Sequence, residues 1–296
     1  MTYIQRYSEM LVAKTRPYQI VNGQLFSRQR DWIVPHGPAA QAFTVTPVQC
    51  RQLLKSLGGV WVMWTEGFSN PSLQVEWYAV ICRKHVTIEE NKSREARRKI
   101  RKGLLNCEVR QVDPEEIARQ GYSTYYAANI GYGRNGADIP TEEAFQRSVI
   151  GDKPFGDVRH QWAAYAKGRM VAFSQNLVYD KTEVTYSLMK YHPDYLELFP
   201  AYALIYRMNE YYLEQQGFGY VNDGFRSILH ETNIQEFLIK NFGFEKAYTN
   251  LHIHYHPPLD LMLQLARPFR KILSKANPKL AALLELDRLR CKRTFE

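Results

Sequence analysis

Cysteine is scarce. The 296 residues hold only four, Cys50, Cys82, Cys107 and Cys291, with no CxxC spacing among them. This excludes a disulfide framework and a zinc site of the usual cysteine pattern, and leaves free thiols in a reducing compartment as the expectation. Long apolar runs are missing as well: no stretch of about 18 uninterrupted apolar residues occurs, as a membrane-spanning helix would need. The opening stretch, "MTYIQRYSEMLVAKTRPYQ", is broken by Arg6, Glu9, Lys14 and Arg16, so it lacks the apolar core of a signal peptide. A cytoplasmic protein is the expectation. Internal repeats and low-complexity tracts are absent. Acidic residues are fewer than basic ones, 30 against 39, which gives a formal net charge of +9. Such a surplus favours anionic partners, whether phosphorylated co-substrates, RNA or an acidic membrane surface, and by itself does not choose among them.

Hydrophobic residues at 45% and aromatics at 13% suffice for a large packed core. Three segments of different character follow one another. Residues 1–104 form an α/β extension with strand-like runs "DWIVP", "GVWVMW" and "EWYAVICR". One helix is expected over 46–58, capped by Thr46, with Pro47 at its first position, Val48, Leu53, Leu54 and Leu57 on its apolar face, and Gly58 as its stop. The extension ends in "NKSREARRKIRKGL" (91–104), a basic helix whose Ala96, Ile100 and Leu104 recur every fourth residue as a narrow apolar stripe.

Residues 105–256 carry the most informative pattern. "NCEVRQVD" alternates like a strand, "PEEIARQGYSTYYAANIGYG" and "EEAFQRSVIG" read as helices, and "QWAAYAKGRMVAFSQNLVYDKTEVTYSLMKYH" reads as three antiparallel strands turned at "KGR" and "DKTE". A long helix, "PAYALIYRMNEYYLEQQG", a strand "GYVND", a helix "ETNIQEFLIKNFG" and two strands, "FEKAYT" and "LHIHYH", complete the order β, α, α, β, β, β, α, β, α, β, β. The final segment, 257–296, is a basic amphipathic helical tail with Leu261, Leu265, Phe269, Ile272 and Leu273 on one side and Arg267, Arg270, Lys271 and Lys275 opposite. Such a tail either packs across the domain or lies peripherally on an anionic membrane.

This element order resembles the GCN5-related N-acetyltransferase (GNAT) superfamily. "SREARRKIRKGLLNCEVRQVD" and "EQQGFGYVNDG" are similar to segments of its FemAB-like branch, the Fem-type aminoacyltransferases and acyltransferases, and "NIQEFLIKNFGFEKAY" is similar to the superfamily's terminal helix and strand. The resemblance implies an α/β fold with a mostly antiparallel central sheet flanked by helices, whose fourth and fifth strands splay and expose main-chain groups to an acyl donor. The implied activity is acyl or aminoacyl transfer from a thioester or tRNA to an amine. The donor is acyl-CoA, acylated carrier protein or aminoacyl-tRNA as co-substrate, with no tightly bound cofactor.

The resemblance puts Tyr186, Ser187 and Lys190 on the fourth strand, and Asn222, Asp223, Arg226, Ser227, His230 and Asn233 after the fifth, at the mouth of that opening. Acyl transfer to an amine needs a base within hydrogen-bond reach and a donor for the developing oxyanion. Asp223 is the first candidate base and His230 the second, with Tyr186 as a further catalytic candidate. Ser187, Lys190, Asn222, Arg226, Ser227 and Asn233 are the donor-binding candidates. Asp223 also reads as an ordinary Asp-Gly turn residue, and His230 as a capping or surface histidine.

Arg97, Arg98 and Arg101 of the basic helix are candidates to attract a phosphorylated donor; a solvated helix face is the alternative. No aromatic interleaves the run, unlike a single-strand nucleic-acid surface. Alternation places His252, His254 and His256 on one strand face, but nothing nearby completes a ligand set, and no metal is assigned. "GYGRNG" lacks the strand-before, helix-after context of a phosphate loop, and is read as a flexible acceptor-side loop carrying Arg134. Two departures from the superfamily keep a second reading open, a catalytically silent module that binds a ligand or partner. The loop "KYHPDYLELFPAY" has no glycine to cradle a pyrophosphate, and Leu238 and Ile239 stand where the superfamily often has a tyrosine.

Overall fold

The computed structural model describes residues 2–70, 73, 75–228 and 233–290. The elements in chain order are α1 (Tyr3–Ala13), β1 (Tyr18–Val21), β2 (Gln24–Gln29), β3 (Trp32–His36), α2 (Pro47–Leu57), β4 (Trp61–Glu66), β5 (Tyr78–Cys82), α3 (Arg94–Asn106), β6 (Glu108–Val112), α4 (Pro114–Gln120), α5 (Tyr122–Gly131) and α6 (Glu142–Ile150). They continue with β7 (Arg159–Ala166), β8 (Arg169–Tyr179), β9 (Glu183–Tyr191), α7 (Pro200–Asn209), β10 (Tyr220–Phe225), α8 (Ile234–Phe242), β11 (Glu245–Tyr248), β12 (Asn250–Tyr255), α9 (Pro257–Ala266), α10 (Arg270–Ala276) and α11 (Pro278–Leu289). Among the described residues no helix is long and apolar enough to cross a membrane.

The chain forms two compact units. One comprises residues 1–79, 225–233 and 246–296, the other residues 80–224 and 234–245. These limits differ from the sequence-based partition at 104 and 256, because partners distant in sequence decide which strand joins which sheet. β12, expected as the last strand of the acyltransferase segment, instead pairs antiparallel with β4 from Asn250↔Glu66 to Tyr255↔Trp61. It completes a sheet of order β1-β2-β3-β4-β12, while β5 takes a place between β11 and β10 in the seven-stranded sheet β11-β5-β10-β9-β8-β7-β6.

In the first unit, α2 forms where its caps direct. Thr46 accepts from the Gln49 N–H in a capping box, Pro47 occupies the first turn and Gly58 closes the helix at φ 71°. Its buried face is Cys50, Leu53, Leu54 and Leu57, packed with Phe26, Ile33 and Val62 of the sheet; Val48, expected on that face, is exposed. A second cluster joins Trp77, Leu251, Ile253, Leu263 and Leu284, and seats α9 and α11.

The second unit is built on the long meander β7-β8-β9. Its first turn is Lys167-Gly168 with both residues at positive φ (51° and 76°), the twist that a two-residue hairpin demands. One sheet face carries α4, α5 and α6 over Ile117, Phe145, Met170 and Phe173. Gly121 divides the single helix expected over 114–133 into α4 and α5. The long helix expected from Pro200 changes to a π-helical segment at Glu210–Gln215. There the fully buried Tyr212 hydroxyl accepts from Trp162 Nε1 at 2.8 Å and Asn176 Nδ2 at 3.2 Å.

α3 lies against the start of α7. Gly103 allows the approach, since a Cβ built there meets the Phe199 carbonyl oxygen at 2.6 Å and the Ala203 nitrogen at 3.1 Å. In an open helix Gly→Ala gains about 1 kcal/mol of helix propensity, but a rigid backbone contact converts the same change to overpacking, which costs typically 1–3 kcal/mol. The obstructing atoms are main chain and cannot rotate away. Gly103→Ala is therefore expected to lower unfolding free energy by up to about 2 kcal/mol once the propensity gain is subtracted; a denaturant midpoint above wild type would show that the two helices are not in close backbone contact.

Candidate active site

The centre of the second unit is the junction of β9 and β10. The two strands pair in parallel over three rungs only, Tyr220↔Glu183, Val221↔Val184 and Asn222↔Thr185. Beyond these, β9 runs on to Tyr191 and β10 to Phe225, with no further rung between them among the described residues. The other edge of β9 stays paired with β8 up to Ala172↔Tyr191. The result is a slot whose β9 wall offers main-chain groups that β10 does not use.

Three features set where the slot begins. Glu183 is 1% exposed, yet its carboxylate accepts from the Tyr220 hydroxyl at 2.5 Å, Asn222 Nδ2 at 2.9 Å and the Thr185 hydroxyl at 2.6 Å. These bonds fasten the last rungs. Gly224 takes φ 100°, and its N–H donates to Asn222 Oδ1 at 2.7 Å, which turns β10 aside immediately after Asp223. Ser187 is the extra residue of a β-bulge, since Asn176 faces Tyr186 while Gln175 faces Leu188. Its hydroxyl donates to the Gln175 carbonyl at 2.7 Å. A bulge inverts the alternation of side chains. Tyr186 accordingly points to α7, where its buried hydroxyl donates to Asn209 Oδ1 at 2.7 Å, and Lys190 turns to the α5 face.

Asp223 stands at the divergence. Among the described residues its carboxylate makes no hydrogen bond or ion pair, and burial pushes its pKa from 3.8 up to about 7. Its negative charge reaches Tyr186 and Tyr191, and in both adds to the effect of burial in raising the phenol pKa. Tyr191 is therefore a neutral phenol at physiological pH; its hydroxyl has the Met189 sulfur at 3.2 Å, a weak acceptor. Tyr191 is not among the candidates read from the sequence. The effect of the Asp223 charge on it depends on how β9 and β10 diverge, which no local pattern signals.

Lys190 is buried without a carboxylate partner among the described residues. Its Nζ lies 3.3 Å from Asn129 Oδ1, 4.8 Å from the Tyr132 ring centre and 5.8 Å from that of Tyr125. Burial, with Arg134 nearby, lowers its pKa to about 8. Arg134 of the glycine-rich loop thus acts on Lys190.

The remaining candidates lie elsewhere. Asn222 is buried in the Glu183 network. Arg226 and Ser227 belong to the first unit. There Arg226 bonds the Glu76 carbonyl at 3.1 Å and pairs with Glu285 at 3.7 Å, while Ser227 lines an aromatic cavity of about 290 Å³ with Trp32, Trp61, Trp77 and Phe225. Asn233 is exposed just before α8, and His230 lies outside the described residues. In α3, Arg97 donates to the Asn91 carbonyl at 2.6 Å and Arg101 pairs with Glu89 at 3.5 Å, which leaves Arg98 exposed.

At the start of α7, the Tyr202 and Ala203 N–H groups both donate to the Phe199 carbonyl and Pro200 has none, so that helix end has few donors for a pyrophosphate. The buried thiols of Cys50, Cys82 and Cys107 are pushed up to about 12, 11 and 11, which removes them as thiolate nucleophiles at neutral pH. His252 pairs with Glu66 at 3.1 Å and stacks on Trp64. No cluster of three His, Cys, Asp or Glu among the described residues is placed to hold a metal.

No protein-family model matches the chain, and no curated protein matches it. Solved structures do. The crystal structure of the C-terminal domain of a protein assigned as a lysylphosphatidylglycerol synthetase, from Agrobacterium fabrum, aligns over 83% of this chain and 90% of its own at 11% identity and a TM-score of 0.55. The crystal structure of FemX aligns over 88% of this chain and 92% of its own at 8% identity and a TM-score of 0.55. The likeness is one of fold, and with the splayed β9 and β10 it establishes that this chain folds as a GNAT-like α/β protein.

Proposed function

We propose that this chain is an N-acyltransferase or aminoacyltransferase in which Asp223 is the base toward an amine acceptor. The observation that carries the reading is a half-buried carboxylate with a pKa near 7 and no hydrogen-bond or ion-pair partner among the described residues, at the point where β9 and β10 part. An isolated buried carboxylate is costly to keep, and a base is most effective when its pKa lies near the working pH. Fem-type transfer, as the FemX likeness suggests at the level of fold, supplies the reaction class.

In the proposed step the acceptor nitrogen attacks the acyl carbonyl carbon, forming a C–N bond. Asp223 takes the proton that the nitrogen sheds. The C–S or C–O bond to the donor then breaks, and the leaving thiolate or ribose oxygen takes back the proton that Asp223 holds, directly or through the Tyr191 hydroxyl, which leaves Asp223 ionised for the next turnover. The unpaired β9 edge beyond Thr185 aligns the donor through main-chain hydrogen bonds. Lys190 supplies a cation on the α5 face for an anionic group of a substrate. The crowded start of α7 favours a donor that is not gripped there by a pyrophosphate, which ranks aminoacyl-tRNA or an acylated carrier protein above coenzyme A. A silent binding module is the second reading, favoured by the same crowding.

The two readings separate in a panel of amines offered with aminoacyl-tRNA, acylated carrier protein and acyl-CoA, with product detected by mass spectrometry. Transfer is expected from at least one donor, with kcat/KM rising through about pH 7 as Asp223 ionises. Asp223→Asn is expected to lose about 100-fold or more in kcat with little change in donor KM. A panel in which no donor yields product would leave the silent module standing.

The same carboxylate also affects stability. Its folded pKa of about 7 lies above the ordinary 3.8, so the folded state holds a proton that the unfolded chain has released. Its contribution is therefore greatest below about pH 4 and is lost as pH rises through 7. Asp223→Asn, which mimics the protonated form, should stabilise the protein at pH 8 by up to about 4 kcal/mol and by little at pH 4. Equal denaturation midpoints for wild type and variant at pH 8 would mean that Asp223 is solvated and unfit for the role.

A further inference from the structure

The C-terminal helices of the first unit are apolar on two sides. Leu263 is fully buried, and Leu259, Ala266 and Leu273 pack beside it in the core. The outer side is apolar too: Leu261 is 60% exposed, Met262 51%, Leu265 68%, Phe269 58% and Ile272 72%. Five of the sixteen large apolar side chains left exposed in the described residues thus lie within twelve positions. α9 runs through a single 3₁₀ turn, Arg267–Phe269, directly into α10. Spacings of four, four and three set Leu261, Leu265, Phe269 and Ile272 along one face, and Lys271 and Lys275 border it. Contiguous exposed apolar patches on soluble proteins mark interaction sites.

The charges around the patch identify the partner. Every acidic side chain of the described tail is already paired: Asp260 with Arg290 at 3.2 Å, Glu285 with Arg288 at 2.7 Å, and Asp287 with Arg267 at 2.9 Å and Arg290 at 3.0 Å. Lys271, Lys275 and Lys279 are exposed and have no acidic partner among the described residues. A second copy docking through the same patch would bring the lysines of both copies together, because a two-fold interface is self-complementary. A surface that is apolar in depth and negative at its boundary satisfies both features.

We propose that the α9–α10 face is a peripheral membrane-docking surface for a bilayer with anionic headgroups, the apolar side chains entering the headgroup–acyl boundary and Lys271 and Lys275 meeting the lipid charges. This proposal is independent of the transferase reading.

The test is flotation of the full-length protein with vesicles of phosphatidylglycerol and phosphatidylcholine in equal parts, against phosphatidylcholine alone. Binding is expected to the anionic vesicles only, and to weaken as salt rises. Leu265→Ser/Phe269→Ser/Ile272→Ser should lose binding by at least tenfold with its circular dichroism melt unchanged, since all three side chains face solvent. Lys271→Glu/Lys275→Glu should lower affinity for anionic vesicles by at least about 25-fold, since each lysine lost near such a surface accounts for roughly fivefold and the added carboxylates are repelled besides. Absence of flotation, binding that survives both variants, or light scattering that shows a wild-type dimer dissolved by the serine variant would each overturn the proposal, the last by assigning the face to a second copy.

Discussion

The Glu183 carboxylate, buried at the start of β9 and held by three donors, is the constraint on which the candidate site depends. Burying an unpaired carboxylate costs several kcal/mol, so the Tyr220, Asn222 and Thr185 groups must remain close enough to hold it. Two of the three lie on β10 and the third, Thr185, stands opposite Asn222 in the last rung, and the network therefore closes the strands at their first three rungs. What lets them open afterwards is equally local. Gly224 turns β10 through a φ that side chains avoid, and the bulge at Ser187 breaks the regular course of β9. Locked strands on one side and freed strands on the other define a slot of fixed position.

Glu183 and Asp223 are chemically alike, and their surroundings divide their roles. Glu183 has its charge met by hydrogen bonds and serves the frame. Asp223, one residue beyond the last rung, is desolvated with no hydrogen-bond or ion-pair partner among the described residues, so its proton is held to about pH 7. A difference of this kind between neighbouring carboxylates separates structural from reactive groups more sharply than position in a pocket does. In the proposed reaction it also carries the usual opposition between stability and function: the environment that would suit Asp223 to proton transfer is one the fold would be more stable without.

Much of this was legible in the sequence, because much of it is local. The caps of α2, the polar turns between β7, β8 and β9, the basic helix and the Asp-Gly at 223–224 are each written within a few residues. What could not be read is set by distance along the chain. "LHIHYH" has the alternation of a strand wherever it pairs, so nothing in it reveals that β4, nearly two hundred residues earlier, is its partner. Glu183 sits in "DKTE" and reads as a turn residue, since only the arrival of Tyr220 and Asn222 gives it a role. The bulge at Ser187 leaves no mark either, yet it sends Lys190 toward Tyr125 of α5 and Tyr132 just after it, and not toward Tyr186. Helical spacing also misjudged single residues: Val48 is exposed, and the close contact of α3 is made by Gly103, with Leu104 only half-buried.

The distribution of charge shows why a basic run is a poor guide to a binding site. The densest cluster of cations in the chain, in and just before α3, is spent within the fold at three of its seven members, while Lys92, Arg94, Arg98 and Lys102 are exposed with no acidic partner among the described residues. Arg97 caps a carbonyl, Arg101 pairs with Glu89, and Lys99 pairs with Glu95 at 2.7 Å while lying over the rings of Phe199 and Tyr202. With Gly103 seated on α7, the run acts in good part as a fastening between two helices, and Lys stems covering aromatic rings are a packing device as much as an electrostatic one. The tail has fewer cations per turn, but its acids are all neutralised by arginines, so its lysines retain their full field. Ligand attraction follows the charge left over after internal pairing, and that remainder is visible only once the partners of each side chain are known.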